Sequence, residues 1–115
     1  MSYDLYQDLQ SKTKDLDISV KALRKTSEEF AQAEMDYKCE LSKEALKLRD
    51  SGMAVTMIPL VIYGLKNIAT LRFNRDCKEA IYKANQESIN SLKLQIRLLE
   101  AQISREWSAN TNNAI

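Results

Sequence analysis

Four side chains near the middle of the chain are of types that bind phosphate or stack on planar groups: Lys66, Arg72, Arg75 and Tyr63. An arginine guanidinium can donate two parallel hydrogen bonds to phosphate oxygens, and it keeps its charge at physiological pH. A tyrosine ring offers a face on which a base can stack. These residues predict an anion-binding site, with Arg72 and Arg75 as its main ligands. In the alternative interpretation they pair with nearby acids such as Asp76 and only solvate the surface.

Catalytic machinery is absent from this sequence. Histidine, the commonest general base and metal ligand, does not occur. Two cysteines, Cys39 and Cys77, do not make a zinc site without histidine, and we expect two free thiols. The glycine-rich phosphate loop, the dinucleotide-binding motif and the serine-nucleophile motif are also missing. The sequence therefore predicts a non-enzymatic protein that acts by binding, with no catalytic residue, no metal and no cofactor.

Long helices must position the candidate site, because Gly52, Gly64 and Pro59 are the only glycines and the only proline. From about residue 3 to residue 50, apolar residues recur every seven positions, at Leu9, Leu16, Leu23, Phe30 and Tyr37. A diluted second row follows at Tyr6, Thr13, Val20, Ser27, Glu34, Leu41 and Leu48. This 3–4 spacing predicts one long helix packed along its length. Ser51 and Gly52 are suited to end it.

The segment from Gly52 to Leu65 contains no charged residue and predicts a turn with a short helix at about residues 53–65. Thr56 is suited to cap this helix, with Pro59 in its first turn and Gly64 at its end. Fourteen residues that include a proline are too few to span a bilayer. Two interpretations stay open: an apolar plug over the end of a bundle, or a tip that touches a membrane or a partner.

A second long helix is predicted from about residue 67 to residue 107. Its main stripe has strict 3–4 spacing, at Ile89, Leu92, Ile96, Leu99 and Ile103. A second stripe lies beside it, at Leu94, Leu98 and Ala101. Folding the chain back near Ile58 gives an all-α, long antiparallel helical hairpin and brings Leu23 beside Leu94. We expect a single domain at residues 1–108 and a flexible tail at residues 109–115.

Self-association is predicted because two apolar stripes are more than one partner helix can cover. We expect a homo-oligomeric bundle of four or more helices. The residues expected in its core or in the hairpin contact are Leu23, Phe30, Leu92, Ile96, Leu99 and Ile103.

Charge is nearly balanced, with 17 basic and 16 acidic residues and a net charge of +1. There is no overall field to attract nucleic acid, so we expect weak or no nucleic-acid binding. The distribution is uneven, because residues 1–37 are net acidic whereas residues 38–50 and 66–83 are net basic. A hairpin therefore gathers basic residues near its turn. The first residues, MSYDLYQDLQ, lack a secretory pattern, and we expect a cytoplasmic protein without a membrane span.

Three segments carry a resemblance to a known family: YKCELSKEALKLRDSGMAVTMI at residues 37–58, LRFNRD at residues 71–76 and YKANQESINSLKLQIRLLEAQISREW at residues 82–107. They resemble small, mostly uncharacterised helical proteins encoded by phages and prophages of Gram-positive bacteria. The turn PLVIYGLKN is more apolar than the charged turn of that family. The resemblance implies a phage accessory role in the cytoplasm of the bacterial host, and it implies no site residues.

Three functions compete at this point. The first is an antagonist of host defence that captures a host protein or a small anionic signal such as a nucleotide. The second is an accessory factor of phage DNA replication or recombination that contacts single-stranded DNA or a nuclease. The third is a structural coiled-coil scaffold. Because strong DNA binding needs a basic surface interleaved with aromatic residues, the sequence favours the first function over the second.

Overall fold

A computed structural model describes the backbone of residues 2–113 and the side chains of residues 4–110. These residues form three helices and no strand: α1 at Ser2–Asp50, α2 at Ile58–Ile62 and α3 at Lys66–Asn113. The two long helices pack against each other in a hairpin, and α2 lies in the connection. The predicted fold class, an all-α helical hairpin, is confirmed. Its assembly into a multi-helix bundle stays a prediction.

The end of α1 follows the predicted stop. Gly52 has a φ of +93°, a conformation that only glycine adopts without strain. The Gly52 N–H donates to the Arg49 carbonyl at 3.0 Å, and the Met53 N–H donates to the Leu48 carbonyl at 3.2 Å. These two bonds form a Schellman motif, which satisfies carbonyls that the end of a helix leaves without partners.

The short helix α2 begins without the predicted cap. Met57, not Thr56, is the N-cap residue, and no side chain caps the helix. Pro59 lies in the first turn as predicted, where its missing N–H is not needed. Ile62 is buried whereas Leu60 is 76% exposed, so α2 covers the structure with one side only.

The second long helix continues past its predicted end at about Trp107, because α3 extends to Asn113. The amides and hydroxyls of residues 108–113 are compatible with helix but gave no apolar periodicity from which to predict it. Residues 109–113 of the predicted tail continue α3, and residues 114–115 lie outside the described part of the chain. The flexibility of the tail stays a prediction.

The chain divides into two compact units, each containing a piece of α1 and a piece of α3. The first unit comprises residues 1–24 and 84–115. In it, Ile89 and Leu92 are buried, Leu16 lines a groove with Ile96, and the Asn85 amide donates to the Ser19 carbonyl at 3.0 Å.

The second unit comprises residues 25–83 and includes α2. Ile68 is fully buried, and Ala33, Tyr37 and Ile62 are nearly so. Phe30 stacks on Tyr82 with ring centroids 5.9 Å apart. The core of this unit therefore lies where α1 packs on the first half of α3, with α2 beside it.

We call the contact face between α1 and α3 the seam. On α3 it runs at 3–4 spacing through Ile68, Leu71, Arg75, Lys78 and Tyr82 in the second unit, and through Asn85, Ile89, Leu92, Ile96, Leu99 and Ile103 in the first. Leu23 and Phe30 lie on the α1 side of the seam. All six residues expected in the core or the hairpin contact are therefore buried or half-buried on the seam.

The second row predicted on α1 is partly wrong. Tyr6 and Val20 are about half exposed, and Thr13 is exposed. The residues one position earlier, Leu5, Lys12 and Ser19, are half-buried, and Ala33, which precedes Glu34 of the same row, is buried. Tyr6 nevertheless lines a groove with Ile103, and at Ser19 and Ala33 the small side chains leave room for the two helices to approach closely.

The predicted pairing between the helices is offset by about one helical turn. Leu23 lines a groove with Ile89 and Asn90 rather than lying beside Leu94, which is 51% exposed. Ile62 of the connection is buried, so part of the connection packs against the helices. The helices therefore do not pair symmetrically about Ile58. Among the described residues, no helix is long and apolar enough to cross a membrane.

Candidate functional site

The second unit brings two of the four predicted site residues into direct contact. The guanidinium carbon of Arg72 lies 5.6 Å from the centroid of the Tyr63 ring. Both side chains are exposed, and Arg72 forms no ion pair with any residue that the structure describes. A guanidinium held over a ring keeps its N–H donors free at its edge. This pair can therefore donate to an anion while one face of the guanidinium is held by Tyr63.

Lys66 lies on another side of the same helix. It is the first residue of α3, and helical geometry places it about 120° around the axis from Arg72. Its exposed side chain lines an open groove with Leu65, Asn67, Thr70 and Leu71, and with Glu40 of α1. Within the described residues, Lys66 has no carboxylate in ion-pair range. It is a second free cation, but it does not share a site with Arg72.

Arg75 lies on the seam. Its guanidinium carbon is 4.6 Å from the centroid of the Tyr37 ring, and Tyr37 is only 5% exposed. Its Nε and Nη2 atoms donate to the same carboxylate oxygen of Asp76 at 3.1 Å and 2.8 Å. The hydrogen bond to Asp76 raises the pKa of Arg75 above its ordinary value, so the charge is permanent. With its side chain 23% exposed, Arg75 already has a ring and a carboxylate as partners.

Most other cations near the connection are paired with acids on the same helix. Lys43 lies 3.9 Å from Glu40, Lys47 lies 3.5 Å from Glu44, and Arg49 lies 3.8 Å from Asp50. The Asn67 amide donates to Glu40 and Glu44 at 3.2 Å and 3.1 Å, which joins α3 to both carboxylates. The basic excess that the sequence predicts here is therefore largely neutralised locally, and Arg72 and Lys66 are the exceptions.

Several apolar side chains close to Tyr63 or Arg72 in the sequence are exposed. We define the tip as Val55, Met57, Leu60, Tyr63 and Phe73, whose exposed fractions range from 47% to 76%. Apolar groups near a cation lower the local dielectric, which strengthens its attraction for an anion. The prediction of an apolar plug fits part of the segment, because Ile62 is buried and Met53, Ile58, Val61 and Leu65 are half-buried, whereas the residues of the tip are exposed.

The part of the chain that the structure describes contains no candidate metal centre. No group of three or more histidine, cysteine, aspartate or glutamate residues is arranged to hold a metal ion there. Both cysteines are free thiols, Cys39 exposed and Cys77 half-buried. Glu29, one of two adjacent carboxylates, binds Lys78 across the seam at 3.5 Å. Glu34 pairs with Lys38 on its own helix at 3.4 Å.

Sequence reasoning missed two residues that organise this region. The heptad pattern places Tyr37 in the apolar row, and the structure shows that its ring also contacts Arg75. The sequence predicts no role for Asn67, whose side-chain amide donates to both Glu40 and Glu44. The heptad phase of α3 could have identified the first contact, because Arg75 follows Ile68 by seven residues and therefore shares its face. No signal in the sequence predicts the contacts of Asn67.

A scan of protein-family models finds no match to this chain, and searches of curated proteins and of solved structures also find none.

Proposed function

We propose that this protein is a non-catalytic binding protein that captures a small anionic ligand carrying a planar group, such as a nucleotide, at Arg72 and Tyr63. The observation that supports this most is the contact between the two side chains at 5.6 Å, on the surface and, among the described residues, without a carboxylate that pairs with Arg72. A guanidinium in that setting suits phosphate oxygens, because it offers two parallel donors.

The planar group of the ligand is assigned to the exposed tip. The face of the Arg72 guanidinium turned away from Tyr63 can stack on a base, and the neighbouring side chains Leu60 and Phe73 are 76% and 71% exposed. Phosphate at the edge of the guanidinium and a base on its outer face would accommodate the two halves of a nucleotide. Arg75 is a less favourable ligand, since Tyr37 and Asp76 already engage it.

The biological role that we propose is a phage accessory protein that antagonises host defence in the cytoplasm of the bacterium by removing a nucleotide signal. This role rests on the resemblance of three segments to phage-encoded proteins and on the chemistry of the Arg72–Tyr63 pair. A factor that contacts single-stranded DNA is the second candidate, because the same pair would accept a base of a polynucleotide.

Calorimetric titration of the purified protein with cyclic mononucleotides, cyclic dinucleotides and a single-stranded oligonucleotide tests the proposal. We expect at least one cyclic nucleotide to bind more tightly than the oligonucleotide. Arg72→Ala should weaken that binding about tenfold or more, and Arg72→Lys should not restore it, because lysine lacks the planar fork. Tyr63→Leu should weaken binding as well.

Arg49→Ala is the matched control. It removes one positive charge from the same unit, but from a side chain paired with Asp50. Equal losses for the Arg49 and Arg72 variants would mean that only net charge matters, which would refute the site. Tighter binding of the oligonucleotide would favour the replication factor, and no binding to either class would exclude both functions.

A further inference from the structure

A stripe of exposed residues on α3 lies on the side of the helix away from the seam in the first unit, although its first residue, Glu87, also borders a groove lined by Leu23 and Ile89. Its members recur at 3–4 spacing and are all exposed: Glu87, Ser91, Leu94, Leu98, Ala101 and Arg105. Leu94 and Leu98 are 51% and 60% exposed, whereas the seam residue Leu92 is 9% exposed. At 1.5 Å per residue the stripe is about 27 Å long. We call it the outer stripe.

The order of residue types along the outer stripe is complementary to itself when reversed. In an antiparallel pair of identical helices centred between Leu94 and Leu98, Leu94 of one copy faces Leu98 of the other. Ser91 then faces Ala101, which lets the backbones approach closely. Glu87 faces Arg105 at both ends of the contact. A two-fold axis therefore generates a leucine centre, two small-residue contacts and two ion pairs.

The charges at the ends are available for these contacts. Within the described residues, neither Glu87 nor Arg105 has an ion-pair or hydrogen-bond partner, although several other charged residues of the chain are paired at i,i+3 or i,i+4. Each is therefore free to pair with a residue of another molecule.

Other alignments of the stripe are less favourable. A parallel pair brings Glu87 against Glu87 and Arg105 against Arg105, which repel. Sliding the antiparallel pair by one position of the stripe in either direction leaves only one leucine facing its own copy. The other leucine then faces Ser91 or Ala101, and Glu87 no longer faces Arg105. Only one register buries the leucines on each other and also satisfies the charges.

We propose that the outer stripe is the contact surface for a second copy of this chain, which binds through it as a two-fold symmetric, antiparallel helix pair. This inference is independent of the proposed ligand site, since all six residues belong to the first unit and the Arg72–Tyr63 pair belongs to the second. It assigns Leu94 and Leu98 to an interface between molecules, while Leu92, Ile96 and Leu99 stay in the hairpin.

Light scattering coupled to size-exclusion chromatography tests the proposal. At roughly 100 μM, a concentration suited to small helix–helix interfaces that bind with micromolar affinity, we expect twice the 13.2 kDa mass of one chain. Glu87→Arg and Arg105→Glu should each raise the dimer dissociation constant about tenfold or more, since each replaces two ion pairs by repulsions. The double variant should return it to within about threefold of wild type, because the exchanged charges again face each other.

A cross-link tests the register independently. With both native cysteines replaced by serine, the Ser91→Cys, Ala101→Cys protein should form disulfide-linked dimers, because these positions face each other across the axis. Ser91→Cys alone should not cross-link efficiently, since the two copies of residue 91 lie about 15 Å apart along the helices. The far-ultraviolet circular dichroism of every variant should match wild type, as all the changed positions of the stripe are exposed.

Several results would overturn the inference. A monomeric wild-type protein at that concentration would mean that something other than a second copy covers the stripe. An unchanged dimer in a Leu94→Gln, Leu98→Gln variant would place the interface elsewhere. Failure of the double charge exchange to restore dimerisation, together with no cross-link at residues 91 and 101, would exclude the antiparallel pairing.

Discussion

Arg75 gives the most direct test of how the seam is built. Its guanidinium stacks on Tyr37, and its N–H groups bind Asp76. If both contacts stabilise the fold, Arg75→Ala should lower the free energy of unfolding more than Arg72→Ala does. The comparison is well matched, since the two arginines are three residues apart on α3 and each lies over a tyrosine ring.

The size of the effect follows from exposure. A cation over an exposed ring contributes about 0.5–1 kcal/mol, and one over a desolvated ring contributes about 2 kcal/mol. Tyr37 is 5% exposed, so we assign about 1–2 kcal/mol to its contact with Arg75. The ion pair adds less than about 0.5 kcal/mol, because Asp76 is 57% exposed. Tyr63 is 47% exposed and its ring is farther from the cation, so Arg72→Ala should cost about 0.5 kcal/mol.

Urea unfolding followed by circular dichroism at a fixed, low protein concentration measures these differences. With a slope of about 2 kcal/mol per molar urea, Arg75→Ala should move the midpoint by roughly 0.5–1 M and Arg72→Ala by roughly 0.25 M. A double-mutant cycle with Tyr37→Leu isolates the ring contact, whose coupling energy should be about 1 kcal/mol. Asp76→Asn should change stability by less than about 0.5 kcal/mol.

Equal destabilisation by Arg72→Ala and Arg75→Ala would refute the reasoning. So would a coupling energy near zero between Arg75 and Tyr37, because the contact would then have no energetic role. Either result would also weaken the case for choosing Arg72 over Arg75 as the ligand residue, since that choice depends on Arg75 being engaged in the seam.

Other substitutions test the remaining parts of the fold. Ile68→Ala should lower the free energy of unfolding by about 2–5 kcal/mol in urea titrations, because Ile68 is fully buried; an effect below about 1 kcal/mol would contradict its place in the core. Gly52→Ala should cost about 1 kcal/mol by the same measurement, since the strain arises from its positive φ while no atom lies within 4 Å of the added carbon; no loss of stability would contradict the Schellman motif. A thiol reagent should modify Cys39 faster than Cys77, since Cys39 is exposed and Cys77 half-buried; equal rates, followed by mass spectrometry, would contradict that difference.

The architecture was predictable because several local signals agree. Apolar residues at 3–4 spacing on both sides of the only glycines and proline predict two long helices with a break, and Gly52 predicts where the first one ends. All the residues of the main stripe on α3, such as Leu92 and Ile103, lie on the seam as expected. A pattern that recurs at five heptad positions still predicts a helix when single residues depart from it, so the fold class could be predicted from the sequence.

The contacts across the seam were less predictable. Periodicity assigns a face to each residue, but it does not determine which residue lies opposite, because sliding one helix by a turn preserves both stripes. The alignment of α1 with α3 depends on details of the connection, where Ile62 is buried. It also depends on polar contacts such as the one between Asn85 and the Ser19 carbonyl. The second row of α1 was misassigned for a related reason: small residues such as Ala33 carry a weak apolar signal but suit a close contact.

The candidate site depends on the same geometry. The sequence grouped the basic residues near the turn into one cluster, but residues three apart on a helix can lie on different sides of an interface. Arg75 shares the heptad phase of Ile68 and is drawn into the seam, whereas Arg72 lies beside the seam and is exposed. A count of basic residues near a turn therefore overestimates the charge that a ligand can reach. The charge that a ligand can reach depends on helical phase and on local ion pairing. By both criteria Arg72 is the cation best placed to bind a ligand, because it contacts Tyr63 and pairs with no carboxylate among the described residues.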